Sequence, residues 1–386
     1  MSSHLLSIDS DPGAADARYM ARALELAWQG RGWTSPNPMV GAVVVKDGQI
    51  VGEGFHPQAG KPHAEVFALD AAGEQARGAT LYVTLEPCAH HGRTPPCVEK
   101  VLACGVARVV VAIEDPNPLV AGRGIQALRD AGVVVEQGCL AREALLTNER
   151  FFKYIRTKRP FVAIKTGMSM DGKIATASGE SQWITSEYSR GHVQTLRATY
   201  DAIMVGVNTV VQDNPHLTCR LPGGRQPLKV IIDSLARTPV NANIFSKPAG
   251  GLPSRANTLI CVGSKAPEDR LRALRAVGAE ILVCPDAGFS SDTHVDLARL
   301  MGLLGRREIT SILLEGGGTL NAAALDAGIV DKLYVFVAPK LIGGVGAPTM
   351  VEGSGVTLLE EAVHLYRMTA TSMGGDILLE AYTQPE

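Results

Sequence analysis

Basic excess is the first thing this chain lacks. Its 37 Lys and Arg stand against 39 Asp and Glu, a formal net charge of −2. No basic field is available to gather a polynucleotide or an anionic membrane. Aromatic residues make up only 5% of the chain, which leaves little for the stacking platform that single-stranded nucleic acid requires. No apolar run reaches the ~20 residues needed to span a bilayer. Met1 to Asp16 has no basic segment followed by an apolar one, so it reads as a short mobile lead-in rather than a secretory signal. Cysteines number seven, an odd count scattered over the chain. That excludes a disulfide framework and fits a reducing, cytoplasmic location. Cys104, Cys139, Cys219, Cys261 and Cys284 read as small buried hydrophobes.

What is present is a chain of 386 residues, 46% hydrophobic and 20% charged, too long for one ordinary core. The spacing predicts a helix over 17–29, strands over 40–45 and 49–54 joined by an Asp47-Gly48 turn, a helix over 63–72 and a strand over 80–85. Pro95-Pro96 suits the first turn of a helix continuing to Leu102. Strands over 106–113 and 133–136 follow, then a helical run over 140–150. The order is that of a mixed sheet covered by helices, an α/β architecture. Polar residues ending in Pro160 place a boundary near 153–160. The expected division is a lead-in over 1–16, one domain over 17–155 and a second over 156–386.

The chemistry of the first half concentrates between His63 and Cys97. His63-Ala64-Glu65 is followed by Pro87-Cys88 and, nine residues after Cys88, by Cys97. One imidazole and two thiols are three zinc ligands, and a fourth position left to water distinguishes a catalytic site from a closed one. Glu65 is not needed as a ligand and is placed to move a proton. His-x-Glu with Pro-Cys and a second Cys is the signature of zinc nucleobase deaminases. A closed structural site completed by His90 or His91 is the competing reading, but it has no use for Glu65. Helices starting at His63 and near Cys97 would turn partial positive charge toward the metal and favour thiolates.

Together with Thr84-Leu85-Glu86-Pro87-Cys88, these residues resemble the cytidine-deaminase superfamily. The long gap Ala89–Pro96 resembles more specifically the bifunctional deaminase–reductases of riboflavin biosynthesis, and the likeness runs from Tyr19 onward. Pro36-Asn37-Pro38-Met39-Val40-Gly41, Gly52-Glu53-Gly54-Phe55-His56 and Glu114-Asp115-Pro116-Asn117-Pro118 match that family's substrate loops. The resemblance implies a three-layer α/β/α deaminase domain that removes an exocyclic amine from a phosphoribosylamino pyrimidinone. It implies that Asn37 meets the ring and that His90 and Arg93 meet the phosphate. Arg93 as a solvated charge, and His56 and Asn117 as plain turn residues, are the alternatives.

In the second half, Lys165 to Ala175 and Ser178 to Thr185 resemble the reductase domain of the same family, whose fold is like dihydrofolate reductase. Gly206-Val207-Asn208-Thr209 opens a helix after a strand, a place able to hold phosphate. Glu315-Gly316-Gly317-Gly318-Thr319-Leu320 does the same after a strand over 310–314; alone, that turn would equally be a packing device. The resemblance places NADPH near Gly167, Trp183, Thr209, Asp213, Ser234, Gly317, Gly318, Thr319, Leu320, Asn321, Ala322 and Ala323. It places the phosphoribosyl substrate near Ser181, Arg197, Leu217, Arg220 and Glu315. Arg197 and Arg220 suit a phosphate through paired hydrogen bonds, and Trp183 either flanks the nicotinamide or packs in the core. Leu341-Ile342-Gly343-Gly344 reads as a structural loop. No residue is an obvious proton donor for hydride transfer; Lys165 is a candidate by position alone. The family also implies a homo-oligomer. A polynucleotide-editing deaminase and a non-catalytic relative are the rivals. Near-neutral charge opposes the first, and intact His63, Glu65, Cys88 and Cys97 oppose the second.

Overall fold

The computed structural model describes residues 12–89, 95–118, 120–246, 257–284 and 294–385. The chain divides into two compact units, Met1–Thr157 and Lys158–Glu386. A cut at 155/156 would sever the last turn of the helix Glu149–Thr157, because the polar run before Pro160 is helical up to Thr157. The helical run expected over 140–150 is two helices with Asn148 between them, whose side chain instead pairs with both backbone groups of Met39.

The N-terminal unit runs α1 (Pro12–Ala27), β1 (Gly41–Lys46), β2 (Gln49–Phe55), α2 (Ala64–Ala72), β3 (Thr80–Val83), α3 (Cys97–Ala103), β4 (Arg108–Val111), α4 (Arg123–Asp130), β5 (Val134–Gln137), α5 (Ala141–Thr147) and α6 (Glu149–Thr157). The sheet order is β2-β1-β3-β4-β5. β1 is antiparallel to β2 and β3, while β3, β4 and β5 are parallel. The order of elements is the one read from the sequence, but α1 starts at Pro12, not Ala17. Asp16, expected in the lead-in, is thus helical and is fixed by Arg108 at 2.5 Å and by the Tyr82 hydroxyl at 2.6 Å, contacts from distant strands, while residues 1–11 lie outside the described residues.

Helices lie on this sheet through glycines. A Cβ at Gly41 would stand 1.9 Å from the Ala23 carbonyl of α1, and one at Gly54 would stand 2.5 Å from the Ala64 carbonyl of α2. One core face gathers Val44, Leu69, Leu81, Val101, Val109 and Leu128; the other gathers Tyr19, Met20, Val43, Tyr82 and Val110. The alternation along β1 and β4 separates the two faces.

The C-terminal unit runs β6 (Phe161–Ser169), α7 (Glu187–Thr199), β7 (Ala202–Gly206), α8 (Val207–Asp213), β8 (Leu228–Ile232), β9 (Thr258–Val262), α9 (Glu268–Ala276), β10 (Glu280–Val283), α10 (Leu297–Arg306), β11 (Ser311–Leu314), α11 (Gly318–Asp326), β12 (Lys332–Ala338), β13 (Tyr366–Met373) and β14 (Asp376–Tyr382). Its nine strands follow the order β10-β9-β8-β7-β11-β6-β12-β14-β13. β11 pairs in parallel with both β6 and β7. That insertion brings the carboxyl ends of β6, β7 and β11 side by side, the edge where ligands of open α/β sheets bind. β13 escapes sequence reading because it is an edge strand of mostly exposed small residues. Of the five cysteines expected to be buried, Cys219, Cys261 and Cys284 are, whereas Cys104 and Cys139 are half-buried.

Asp201, buried between α7 and β7, accepts from Arg225 at 2.6 Å and from the Thr310 amide and hydroxyl at 2.8 and 2.7 Å. Burial alone would raise its carboxyl pKa, but Arg225 and Thr310 more than offset that and hold it below the usual range. A depressed folded value means stabilisation present above about pH 4 and lost as pH falls through the lowered folded value. Asp201→Asn is expected to cost the C-terminal unit about 3 kcal/mol at neutral pH. Urea unfolding at several pH values should show the gap from wild type closing below about pH 4.

Candidate active sites

α2 and α3 start close together, with the side chains of His63 and Cys97 in contact. His63 caps α2 with extended backbone, and Cys97 is the first residue of α3. Cys88 lies between them: its carbonyl accepts from the Val98 amide at 3.2 Å and its sulfur from the Cys97 amide at 3.3 Å. His63 Nδ1 stands 3.2 Å from Cys97 Sγ and 3.7 Å from Cys88 Sγ. All three donor atoms lie within 4.8 Å of one another. With zinc–sulfur and zinc–nitrogen bonds of about 2.3 and 2.0 Å, donors at tetrahedral angles stand about 3.6 Å apart, so the spacing fits that ion.

The electrostatics fit as well. A hydrogen bond from the Cys97 thiol, opposed by burial and aided by His63, draws the Cys88 thiol well below its ordinary range. Donating to Cys88 and being buried hold the Cys97 thiol up. A pair that shares one proton is a donor set ready to lose it to a cation. Glu65, in the first turn of α2, is 3% exposed, and its Oε2 has no hydrogen-bond partner among the described residues. Burial pushes its carboxyl up, against the pull of His63. A desolvated, unpartnered oxygen beside a metal-donor set has a place for a proton.

His56 and Asn37 adjoin this cluster. His56 Nδ1 is 3.0 Å from the Pro62 carbonyl and Nε2 is 3.3 Å from Asn37 Nδ2. Nδ1–H therefore donates to the carbonyl and Nε2 accepts from the amide. Burial, partly opposed by Pro62, lowers the imidazole pKa, so the ring is neutral and orients Asn37. His56 is thus more than a turn residue, and its role rests on a contact between loops. His90, His91 and Arg93 lie outside the described residues.

In the C-terminal unit a buried carboxylate organises the carboxyl edge of the sheet. Glu315, directly after β11, takes Arg197 Nε and Nη2 at 2.7 and 3.0 Å and Lys165 Nζ at 3.0 Å. Burial raises the Glu315 carboxyl, but Arg197 and Lys165 overcome this and bring it to about 2. Arg197 Nη1 donates to the Thr218 carbonyl at 3.1 Å. Its guanidinium thus engages both Glu315 and Thr218. Arg220 is exposed, its amide held by Gln194 Oε1 at 2.9 Å.

Ser181 and Asp213 come together at 3.4 Å. Trp183 is 58% exposed, so it is not a core residue, and Arg190 lies over its ring at 4.6 Å. Gly167 faces Thr185, with room for a Cβ only at 3.1 Å. Leu217 is buried with φ +50, and Thr209 sits in the first turn of α8. Ser234 Oγ accepts from the Val295 amide at 3.2 Å. Gly318, Thr319, Leu320, Asn321, Ala322 and Ala323 form the start of α11 after Gly317. Asn321 is fully buried: its Nδ2 donates to the Met350 carbonyl, and its Oδ1 has no partner among the described residues. The loop at Leu341–Gly344 is fastened by Asp171, which accepts from the Ile342 and Gly343 amides at 3.0 and 2.7 Å.

Comparison with known proteins gives matches over both units. Residues 14–113 match the cytidine and deoxycytidylate deaminase zinc-binding region, and residues 160–379 match the RibD C-terminal domain. The riboflavin biosynthesis protein RibD of Actinobacillus pleuropneumoniae is 46% identical over 365 residues, covering 95% of this chain and 94% of its own. That of Bacillus amyloliquefaciens is 43% identical over 365 residues, covering 94% and 95%. Among solved structures, RibD of Acinetobacter baumannii superposes with a TM-score of 0.83 at 39% identity over 96% of this chain and 99% of its own. A diaminohydroxyphosphoribosylaminopyrimidine deaminase/5-amino-6-(5-phosphoribosylamino)uracil reductase of Thermotoga maritima gives 0.81 at 35% identity, with the same coverage.

The close seat of α2 on Gly54 makes a test. Gly54→Ala has to push away the helix that carries His63 and Glu65. A displacement of about 1 Å at a reacting group can cost a hundredfold in rate. Ammonia release is expected to fall by about that factor, while NADPH oxidation by the same preparation stays unchanged.

Proposed function

The chain belongs to the RibD family of riboflavin-biosynthesis deaminase–reductases, and from that premise we propose which residues carry its two reactions. The protein removes ammonia hydrolytically from 2,5-diamino-6-(5-phosphoribosylamino)pyrimidin-4(3H)-one. It then reduces the ribosyl group of 5-amino-6-(5-phosphoribosylamino)uracil to ribityl. Its cofactors are zinc and NADPH.

The observation that carries the assignment is the convergence of His63, Cys88 and Cys97 within 4.8 Å, with Glu65 in the first turn of α2 and its Oε2 without a partner among the described residues. His63 Nδ1 and the two thiolates would hold the ion. When bound, zinc supplies water acidified to near neutrality, and NADPH supplies hydride. Glu65 takes one proton from the attacking water and gives it to a ring nitrogen, then takes the second from the new hydroxyl and gives it to the amine, which leaves as ammonia. Asn37, held by neutral His56, hydrogen-bonds the ring.

In the second reaction, Glu315 holds Lys165 and Arg197 at the carboxyl edge of the sheet. Two cations against one carboxylate leave a net positive charge facing the substrate. Lys165 Nζ is the proton donor to the ribose ring oxygen as the ring opens, and Arg220, exposed, meets the phosphate. Gly167, Trp183, Thr209, Asp213, Ser234 and the α11 start from Gly317 line the NADPH site; Ser181, Leu217 and Glu315 adjoin the substrate.

The residues assigned to the two reactions should be separable by mutation. Glu65→Gln is expected to keep one zinc per chain yet lower ammonia release by about a hundredfold to ten-thousandfold, with NADPH oxidation on the deaminated product intact. Lys165→Met should show the reverse. Loss of both activities in either variant would sink the assignment of independent sites.

Among the described residues no helix is long and apolar enough to cross a membrane, and we place the protein in the cytoplasm. We also read it as a homo-oligomer. Support comes from edge strand β13 and the segment before it, where Leu359 is 91% and Met368 67% exposed. An edge strand beside apolar side chains is a template for pairing with a second copy. Light scattering should give at least twice the 40.8 kDa chain mass, and Met368→Lys with Leu359→Lys should shift it toward the monomer.

A further inference from the structure

Glu86 precedes Cys88 by two residues, at the carboxyl end of β3. It is buried, and its side chain accepts four backbone N–H groups from two separate segments. Oε2 takes those of Asp115 at 3.2 Å and Gly122 at 3.0 Å; Oε1 takes those of Gly124 at 2.8 Å and Ile125 at 3.2 Å. Three of the four come from the start of α4, where helix amides lack partners and the helix dipole favours a negative charge. The fourth comes from the loop that leaves β4. In that loop Asp115 Oδ1 accepts the Asn117 amide at 2.8 Å, which passes the constraint on to Asn117. The Glu86 amide in turn donates to the Ile113 carbonyl at 3.0 Å.

The join is tight. A Cβ at Gly124 would stand 1.9 Å from the Pro87 carbonyl and 3.2 Å from Glu86 Oε1. β3 and β4 are neighbouring parallel strands, and their following loops leave the sheet edge where ligands of such sheets bind. One of these loops presents Cys88.

We propose that Glu86 is a positioning residue for deamination. It fastens the Glu114–Asn117 loop and the start of α4 to the loop that presents Cys88. The loops that leave β3 and β4 at the ligand-binding edge of the sheet are then fixed relative to each other before a substrate binds there. Nothing in this role involves transfer of a proton by Glu86, whose oxygens are fully used as acceptors. The inference rests on the deaminase reading given above.

The experiment uses the full-length, zinc-loaded protein. Glu86→Gln turns an NH2 group toward backbone donors, so one set of amides loses its acceptor. Zinc content is expected to stay at one per chain. KM for ammonia release should rise by about tenfold or more, as loss of hydrogen bonds to a charged group implies, with kcat little changed. Amide exchange in a peptide spanning Ile113–Gln126 should quicken by about tenfold, while Ala64–Ala72 keeps its protection. Glu86→Asp keeps the charge but is one methylene short, and should fall between; it decides the matter if the Gln variant does not fold. Unchanged KM and exchange with zinc retained would overturn the proposal, as would losses that merely track loss of zinc. If the wild-type chain released no ammonia, the deaminase reading would fall. The exchange measurement would still show whether Glu86 fastens the two segments.

Discussion

Taking a carboxylate out of water without a hydrogen bond is unfavourable by several kcal/mol unless the group protonates or meets a cation. The Glu65 carboxyl is buried with its Oε2 lacking a partner among the described residues, and α2, whose first turn is seated against β2 through Gly54, holds it there. The same seating fixes His63 as the cap of the helix. The rest of the N-terminal unit follows from this constraint. β3 has to end where Cys88 reaches the cap, and α3 has to start where the Cys97 amide meets the Cys88 sulfur. Four amides then gather on Glu86 to keep the next loop in place.

The C-terminal unit solves a related problem with the opposite sign. Glu315 is as buried as Glu65, but two cations meet it, and it stays ionised. Lys165 and Arg197 are thereby held in place at the carboxyl edge of the sheet. That suits a reaction in which hydride comes from a cofactor and the protein supplies position and one proton. One carboxyl keeps an oxygen without a partner among the described residues and the other is met by two cations, which matches the different demands of hydrolysis and reduction.

Much of this could be read along the chain because it is local. His63, Glu65, Cys88 and Cys97 announce themselves by residue type and spacing. The alternation in β1 and the turn at Asp47-Gly48 give a hairpin without further information. The reductase glycines follow a strand and open a helix, a pattern visible in any window that contains them. β13 did not announce itself, because Thr369 to Ser372 are small, exposed and without alternation. The start of α1 was missed for a different reason: Asp16 is held by Arg108 and Tyr82, 92 and 66 residues away.

Arg197 shows the limit most clearly. The family resemblance implied a place for it beside the phosphoribosyl substrate, and the fold adds a partner that no sequence window shows: its Nε and Nη2 donate to Glu315, 118 residues distant. Glu86 is the complementary case, a residue passed over beside Cys88 whose four partners come from segments 29 to 39 positions away. What the sequence determined alone is the chemistry on offer: a soft tridentate donor set, an acid–base carboxylate, and phosphate-sized turns. Tertiary structure decided which charges are already spoken for, because a side chain's partners across a sheet depend on strand order, and strand order is a property of the whole folded chain.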